Sequence, residues 1–430
     1  MNIQELHKLF LSGTGVSTDT RKIKKDSLFF ALKGENFNGN KFAKEAFTKG
    51  ASYAIVDEEE FAEEDQIILV DDVLKTLQDL AYTHRKYLDI PIVALTGSNG
   101  KTTTKELINE VLSKKFKTVA TRGNLNNHIG VPLTLLEMNS ETEMGIIEMG
   151  ANHQGEIQRL CEIAQPDYGY ITNFGKAHLE GFGGIEGVIK GKSELYQHLI
   201  DHKGSLILNL DDEIQQKRIG STHTYSFSKE TGADLHITYA ISAPFAHIQF
   251  EDTLVESNLI GRYNEVNLAA AVAFGCLFKI EHNAIKDALE NYIPANNRSQ
   301  LIKNGTQTII MDAYNANPTS MEAALRNLAT TQSAYKLAIL GDMFELGNAT
   351  AAEHQHIADL ADQFNLDQTI LIGKHFNQTQ NKAICYTSTE EFIEKGLPDS
   401  VSEMLNDAII LIKGSRGMAL ERILSQFNKK

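Results

Sequence analysis

LTGSNGKTTTKELINEVL, residues 95–112, limits what this chain can fold into more than any other segment. It starts inside the apolar run Ile92–Thr96, which has the length of a strand, and turns through Gly97 and Gly100. It then continues into a stretch whose apolar residues Leu107, Ile108, Val111 and Leu112 recur at helical spacing. A strand that turns through glycines directly into a helix gathers successive backbone N–H groups at the positive end of the helix dipole, where phosphate oxygens can be held. Lys101 adds a cation at that point, and the Thr102 hydroxyl can reach a Mg²⁺ ion bound to the same phosphates. Gly97, Ser98, Asn99, Gly100, Lys101, Thr102 and Thr103 are therefore candidate ATP-binding residues, with Lys101 also a catalytic candidate. Leu95 occupies the place of the first glycine in the general Gly-x4-Gly-Lys-Ser/Thr pattern, so the loop points to a nucleoside triphosphate without naming a reaction.

Strand-like runs recur beyond the loop, with helical stretches between most of them: Gly145–Glu148, Tyr168–Thr172, Leu206–Leu210, Thr308–Met311, Lys336–Leu340, Thr369–Ile372 and Ala408–Ile412. Several end in Gly, Asp, Asn or Glu, which suits a mostly parallel sheet with its chemistry at the carboxyl ends of the strands. Before the loop, the runs Ser27–Leu32, Ser52–Val56 and Gln66–Val70 precede a helical pattern through Leu74, Leu77, Leu80 and Ala81. The expected class is α/β in three domains. These are a small α/β substrate domain over residues 1–88, a central P-loop domain with a mostly parallel sheet over 89–293, and a C-terminal Rossmann-like domain over 294–430. The second break is placed at the sequence IPANN, residues 293–297.

The composition, 42% hydrophobic and 23% charged, is that of an ordinary globular protein. No apolar run approaches the ~20 residues of a membrane span, and MNIQELHKLFLSG lacks a signal-peptide core. A soluble, cytoplasmic protein with no membrane partner is expected. A net charge of −15 argues against a broad nucleic-acid-binding face, while leaving room for a local basic pocket. Cys161, Cys276 and Cys385 form no CxxC pair and read as reduced, buried thiols.

TGSNGKTTTKE resembles the form this loop takes in the ATP-dependent Mur ligases and their folylpolyglutamate synthetase relatives, and other segments agree in order. TRGNLNNHIGVPLTLL (121–136) resembles the family's asparagine-rich substrate segment, and GIIEMGANHQGEI (145–157) its metal-binding glutamate strand. ITNFGKAHLEGFGGIEGVIKGKSELY (171–196) resembles the segment with its histidine and modified lysine. GRYNEVNLAAAVA (261–273), MDAYNANPTSMEAAL (311–325), LGDMFELG (340–347) and LIKGSRGMALERI (411–423) extend the likeness over nearly the whole chain. Tyr263 stands where relatives often have histidine.

YNANP and GDMFELG look like the members that add D-alanyl-D-alanine to UDP-N-acetylmuramoyl-tripeptide. The resemblance thus implies an ATP-dependent amide ligation through an acyl phosphate, in cytoplasmic peptidoglycan precursor synthesis, by a monomer using Mg²⁺. Members that add the preceding amino acid characteristically carry Asp-Asn-Pro-Arg, which this chain lacks. A folylpolyglutamate synthetase is the other alternative, and the uridine-nucleotide-like start Ser17–Lys22 speaks against it.

By spacing alone, Glu148 reads as an ordinary strand-end carboxylate, His178 as one histidine among 14, and Lys192 as a solvated lysine on a helix with Lys190 and Glu194. The resemblance instead implies that Thr102, Glu148, His178 and Lys192 surround the metal, with Lys192 converted by CO₂ into a carbamate, and that the last three are catalytic with Lys101. It further implies Asn267 as an adenine contact, Arg298 as a phosphate or ribose contact and Asp312 as the ribose-facing carboxylate. Asp19 and Arg21 match the uridine-nucleotide segment. Asn124, Asn126 and Asn127 match the sugar and peptide contacts, and Lys413, Ser415 and Arg416 the dipeptide contacts. ATP contacts on both sides of residues 292–298 imply a hinge there.

Overall fold

The computed structural model describes residues 1–240, 244–294, 297–364 and 366–427. They form a three-domain α/β protein, each domain built on its own sheet. In the first, strands Val16–Ser17, Leu28–Phe30, Tyr53–Val56 and Ile67–Leu69 lie side by side in sequence order, all parallel. Parallel strands covered on both faces need continuous apolar runs, and Leu28–Phe30 is buried at every position. Asp72 caps the helix Val73–Leu88 by accepting from the Lys75 N–H at 2.8 Å, and Asp89 ends it in the left-handed region at φ 49°.

That helix fixes the first domain to the second. Leu77, Leu80 and Ala81 share one core with Val131, Leu135, Ile157 and Leu160 of the central domain. Buried Arg85 donates to the carbonyls of Ala164 and Gln165, both at 3.1 Å, where helix Glu156–Ala164 ends, and to Asp167 at 2.9 Å. A cation at a helix C-terminus also meets the negative end of the dipole. Arg85→Ala should cost about 1–3 kcal/mol, because it leaves the buried Ala164 carbonyl and its Gln165 neighbour without their donor, whereas half-exposed Asp167 keeps the Ile92 N–H. Denaturant unfolding measures this, and an unchanged midpoint would remove Arg85 from the account.

The central sheet has nine strands, in the order Thr253–Ile260, Phe245–Phe250, Leu235–Ala240, His223–Ser228, Ser205–Asn209, Tyr168–Ile171, Ile92–Thr96, Met144–Glu148 and Thr118–Ala120. Pairing is parallel except where Phe245–Phe250 meets its two neighbours. That antiparallel extension was not among the expected strands. In Thr253–Ile260, exposed Leu254 and Glu256 alternate with buried Val255 and Ser257, so no continuous apolar run marks it. Helices Lys101–Leu112 and Tyr263–Leu277 cover one face, and Glu156–Ala164 and Ile185–Asp201 the other. Tyr263–Leu277 is buried nearly all round, as a helix between a sheet and another helix must be.

The third sheet runs Gln300–Asn304, Gln307–Asp312, Ala408–Lys413, Tyr335–Gly341, Gln368–Ile372, Ile384–Tyr386, with only the first pair antiparallel. Register places Asp312 beside Lys413 and Lys413 beside Leu340, so three strands end together at one edge. Of the expected break IPANN, Ala295 and Asn296 lie outside the described residues. Cys161 is a buried free thiol, as expected, whereas Cys276 and Cys385 are partly exposed. Among the described residues no helix is long and apolar enough to cross a membrane.

Candidate active site

Strand Ile92–Thr96 is wholly buried and delivers the chain to Gly97 at φ +146° and Gly100 at φ +78°, conformations that favour glycine. A Cβ at Gly97 would overlap the Thr172 hydroxyl, and one at Gly100 would meet Asn267 Oδ1 at 2.7 Å. The loop is clamped by the end of the neighbouring strand. Thr172 Oγ1 donates to the Asn99 carbonyl at 2.5 Å, Asn99 N–H donates to Asn173 Oδ1 at 3.0 Å, and Ser98 Oγ donates to the Gly175 carbonyl at 2.8 Å. Lys101 Nζ folds back onto the Gly97 carbonyl at 2.8 Å. Burial lowers its pKa, with Glu148 opposing and Arg298 adding to that shift.

The loop opens into a cavity of about 870 Å³ to which all three domains contribute: Leu74 from the first, Lys101, Thr102, Asn126, Glu148 and His178 from the second, Arg298, Asp312 and Lys413 from the third. Glu148 is 1% exposed. Its Oε1 accepts from Asn126 Nδ2 at 2.7 Å, while Oε2 is buried with no hydrogen-bond partner among the described residues. A buried carboxylate oxygen without a partner is costly, and a cation removes that cost. Thr102, also buried, lines the same wall. One carboxylate, one hydroxyl and the phosphates of a nucleotide suit Mg²⁺, which keeps several waters and takes few protein ligands. Among the described residues no group of three or more His, Cys, Asp or Glu side chains forms a metal cage.

Lys192 is 1% exposed, which overturns the solvated reading. Its Nζ donates to the Ala151 carbonyl at 3.2 Å and lies 5.0 Å from the centre of the Phe182 ring. Burial, helped by the nearby charge of Lys101, drives its pKa well below that of an ordinary lysine. Lys192 stands behind the cavity wall, whose Ala151 it touches. His178, at φ 52°, places Nδ1 against the Glu345 carboxylate across the domain boundary and holds that carboxyl below its usual range. The second and third domains also meet through Asn317 Nδ2 on Asn99 Oδ1 at 2.7 Å and Lys176 on Glu353 at 2.6 Å.

Three family models match successive stretches of the chain. The model of the Mur ligase family, catalytic domain, matches residues 13–86, the Mur ligase middle domain 95–275, and the Mur ligase glutamate ligase domain 297–416. The UDP-N-acetylmuramoyl-tripeptide--D-alanyl-D-alanine ligase of Bacillus subtilis (strain 168) is 34% identical over 431 residues, covering 95% of this chain and 92% of that protein. The chain belongs to the Mur ligase family. Among solved structures, the UDP-N-acetylmuramoylalanyl-D-glutamyl-2,6-diaminopimelate--D-alanyl-D-alanyl ligase from Acinetobacter baumannii matches with a TM-score of 0.82 at 30% identity, over 100% of this chain and 98% of that one. The MurF ligase from Thermotoga maritima in complex with ADP matches with a TM-score of 0.86 at 27% identity, over 98% of each chain.

Most residues singled out by the Mur ligase resemblance converge on the cavity. Asn124, Asn126 and Asn127 line it, although Asn127 Oδ1 also accepts from the N–H groups of Ile129 and Gly130 and so caps a helix start. Asn267 faces the loop: its Oδ1 accepts from Thr104 Oγ1 at 3.0 Å and its Nδ2 donates to Asn264 Oδ1 at 2.7 Å. Arg298 stacks 3.6 Å from the centre of the Tyr314 ring, and Asp312 is bridged to Lys413 at 2.5 Å. Tyr263 lines the cavity with its hydroxyl 2.7 Å from Ser299 Oγ, and burial raises its pKa.

Other expected residues do not line the cavity. Asp19 and Arg21 pair with each other at 2.8 Å in the first domain, and Arg21 holds the Asp19 carboxyl down to about 2. Ser415 is buried, accepting from the Phe344 N–H at 3.0 Å, while Arg416 is exposed beside Glu421. Asn264, Tyr314 and Asn317 line the cavity without having been singled out. Asn264 had a signal, being one turn before Asn267 on a helix whose other polar side chain beyond Tyr263 is Glu265.

Proposed function

We propose that this Mur ligase joins the terminal carboxylate of UDP-N-acetylmuramoyl-tripeptide to the amine of D-alanyl-D-alanine, driven by ATP, in peptidoglycan precursor synthesis. The observation behind this reading is the single cavity that collects the Lys101 loop, the half-satisfied Glu148 carboxylate and the Arg298, Asp312 and Lys413 cluster. The tripeptide carboxylate attacks the γ-phosphorus of ATP, the bond to the β–γ bridging oxygen breaks, and ADP leaves. The dipeptide amine then attacks the acyl phosphate carbon, loses a proton, and expels inorganic phosphate.

Negative charge gathers where carboxylate meets triphosphate, so fixed positive groups contribute most at that point. Lys101, Arg298 and the N–H groups of residues 98–103 supply them, and the domain edge at Lys413 faces the incoming dipeptide with Ser415 and Arg416 behind it. Thr102 and Glu148 would hold Mg²⁺, which when bound neutralises phosphate charge. His178 borders that position. Lys192, whose burial favours the neutral amine, would add to CO₂ as a carbamate and release a proton. Asn267 and Asn264 flank the adenine side, Asp312 the ribose, Asn124, Asn126 and Asn127 the sugar and peptide, and Asp19 with Arg21 the uridine end.

The working units are the domains at 1–88, 89–293 and 294–430, and binding of both substrates with ATP would close the third domain on the other two, which share one core. A monomer in the cytoplasm suffices, since one chain supplies every assigned group. Against the preceding amino-acid-adding ligase stands the absence of Asp-Asn-Pro-Arg; against a folylpolyglutamate synthetase stands the 34% identity to a tripeptide–dipeptide ligase along nearly the whole chain. Phosphate release from ATP should require both the tripeptide nucleotide and the dipeptide. Release that proceeds without either one would contradict a ligase and favour a nucleotide-binding regulator.

A further inference from the structure

Four strongly basic side chains line the cavity: Lys101, Arg159, Arg298 and Lys413. Lys413 is neutralised by Asp312, Lys101 lies near the Glu148 charge, and Arg298 is stacked on Tyr314 within reach of the loop. Arg159 is different. Like Lys101 and Arg298 it has no carboxylate within ion-pair distance among the described residues, but it belongs neither to the phosphate loop nor to a ring stack, and its hydrogen bond is to a neutral amide: Nη2 donates to Gln78 Oε1 at 2.8 Å. Glu156 and Glu162, one turn away on the same helix, are engaged elsewhere, the first by the N–H groups of Asn152 and His153 and the second by Gln158.

The guanidinium is also held in place. Buried Gln78, on the first-domain helix, donates Nε2 to the His128 carbonyl at 2.9 Å, which fixes the amide with its oxygen towards Arg159. Arg159 thus has one N–H occupied and the rest of its planar fork available, on a wall it shares with Leu74, His128 and Leu160. An oriented guanidinium without a counter-ion, beside the groups assigned to the acceptor peptide, matches a carboxylate.

We propose that Arg159 receives a carboxylate of the peptide part of the acceptor substrate and selects acceptors by that charge. This rests on the ligase reading above. A peptide of the kind named for the Acinetobacter baumannii enzyme offers two such groups besides the one that reacts: the free carboxylate of its glutamyl residue and the second carboxylate of 2,6-diaminopimelate. A tripeptide ending in lysine offers only the first.

The test uses the full chain and two UDP-N-acetylmuramoyl-tripeptides, ending in diaminopimelate or in lysine, with steady-state kinetics of Arg159→Ala and Arg159→Gln. Arg159 is exposed, and glutamine preserves a side-chain amide for Gln78 while removing the charge. For at least one acceptor KM should rise about 10- to 100-fold, the range of a charge-assisted hydrogen bond. In the same variants kcat and the KM for ATP should stay within about threefold, because the contact serves binding alone.

A loss confined to the diaminopimelate substrate assigns the side-chain carboxylate; equal losses on both assign the glutamyl carboxylate. Unchanged KM for both acceptors overturns the proposal. So does an equal loss in competitive inhibition by UDP alone, which would make the diphosphate the anion. Failure of the unaltered enzyme to couple either nucleotide to the dipeptide would instead refute the ligase reading itself.

Discussion

Lys192→Ala should lower turnover at least about 100-fold, the scale seen when a preorganised charge is removed from a reacting centre. The lysine is buried against Phe182 and the Ala151 carbonyl, where an ammonium ion has lost its water without gaining a carboxylate partner within ion-pair distance among the described residues. The neutral amine is favoured there, and a neutral amine is what CO₂ requires. Since alanine also leaves a void, Lys192→Met is the companion variant: it fills the space, has no amine, and should be as inactive while folding normally. Acetate should partly restore the alanine variant by supplying oxygens to the vacated space, and should not help the methionine variant. Lys190→Ala is the control, because Lys190 is exposed on the same helix. Full activity of Lys192→Ala in CO₂-free buffer would leave this lysine with no part in the chemistry.

Lys101→Ala should reduce kcat by about 10²- to 10³-fold with the fold intact. The Lys101 ammonium lies at the mouth of the phosphate loop, where charge interactions are screened less than in water. It now rests on the Gly97 carbonyl and would turn to the phosphates of bound ATP. Lys101→Arg should not recover the rate, because the larger planar group cannot occupy the space beside Gly97 that a single Nζ fills. Single-turnover phosphate release separates chemistry from product release. A rate within about tenfold of the unaltered enzyme would show that the loop binds ATP without assisting transfer.

How far the sequence disclosed this arrangement depended on distance along the chain. The phosphate loop was legible because strand, glycines, lysine and helix are contiguous, and positive φ at Gly97 and Gly100 is a local property. The antiparallel strands after residue 234 were not, because a half-covered sheet needs no continuous apolar run. Spacing alone makes Lys192 look as solvated as its neighbour Lys190, and only the family resemblance set it apart. Two residues turn about 200° around a helix, so one lysine can face water and the other the core. The contact of Asn99 with Asn317, 218 residues apart, and that of His178 with Glu345 exist only once two domains meet, and no local pattern announces either. Arg159 gave no signal at all, since its significance lies in which carboxylates are absent around it.

The central claim is that a carboxylate is activated by phosphoryl transfer before the amine attacks. The most direct measurement uses UDP-N-acetylmuramoyl-tripeptide labelled with ¹⁸O in its terminal carboxylate, together with ATP and D-alanyl-D-alanine. If the account holds, each pentapeptide nucleotide formed is accompanied by one ADP and one phosphate, and that phosphate contains one oxygen from the labelled carboxylate. Pentapeptide product accompanied by unlabelled phosphate, with the ¹⁸O that leaves the carboxylate appearing in water or in ADP instead, would contradict it.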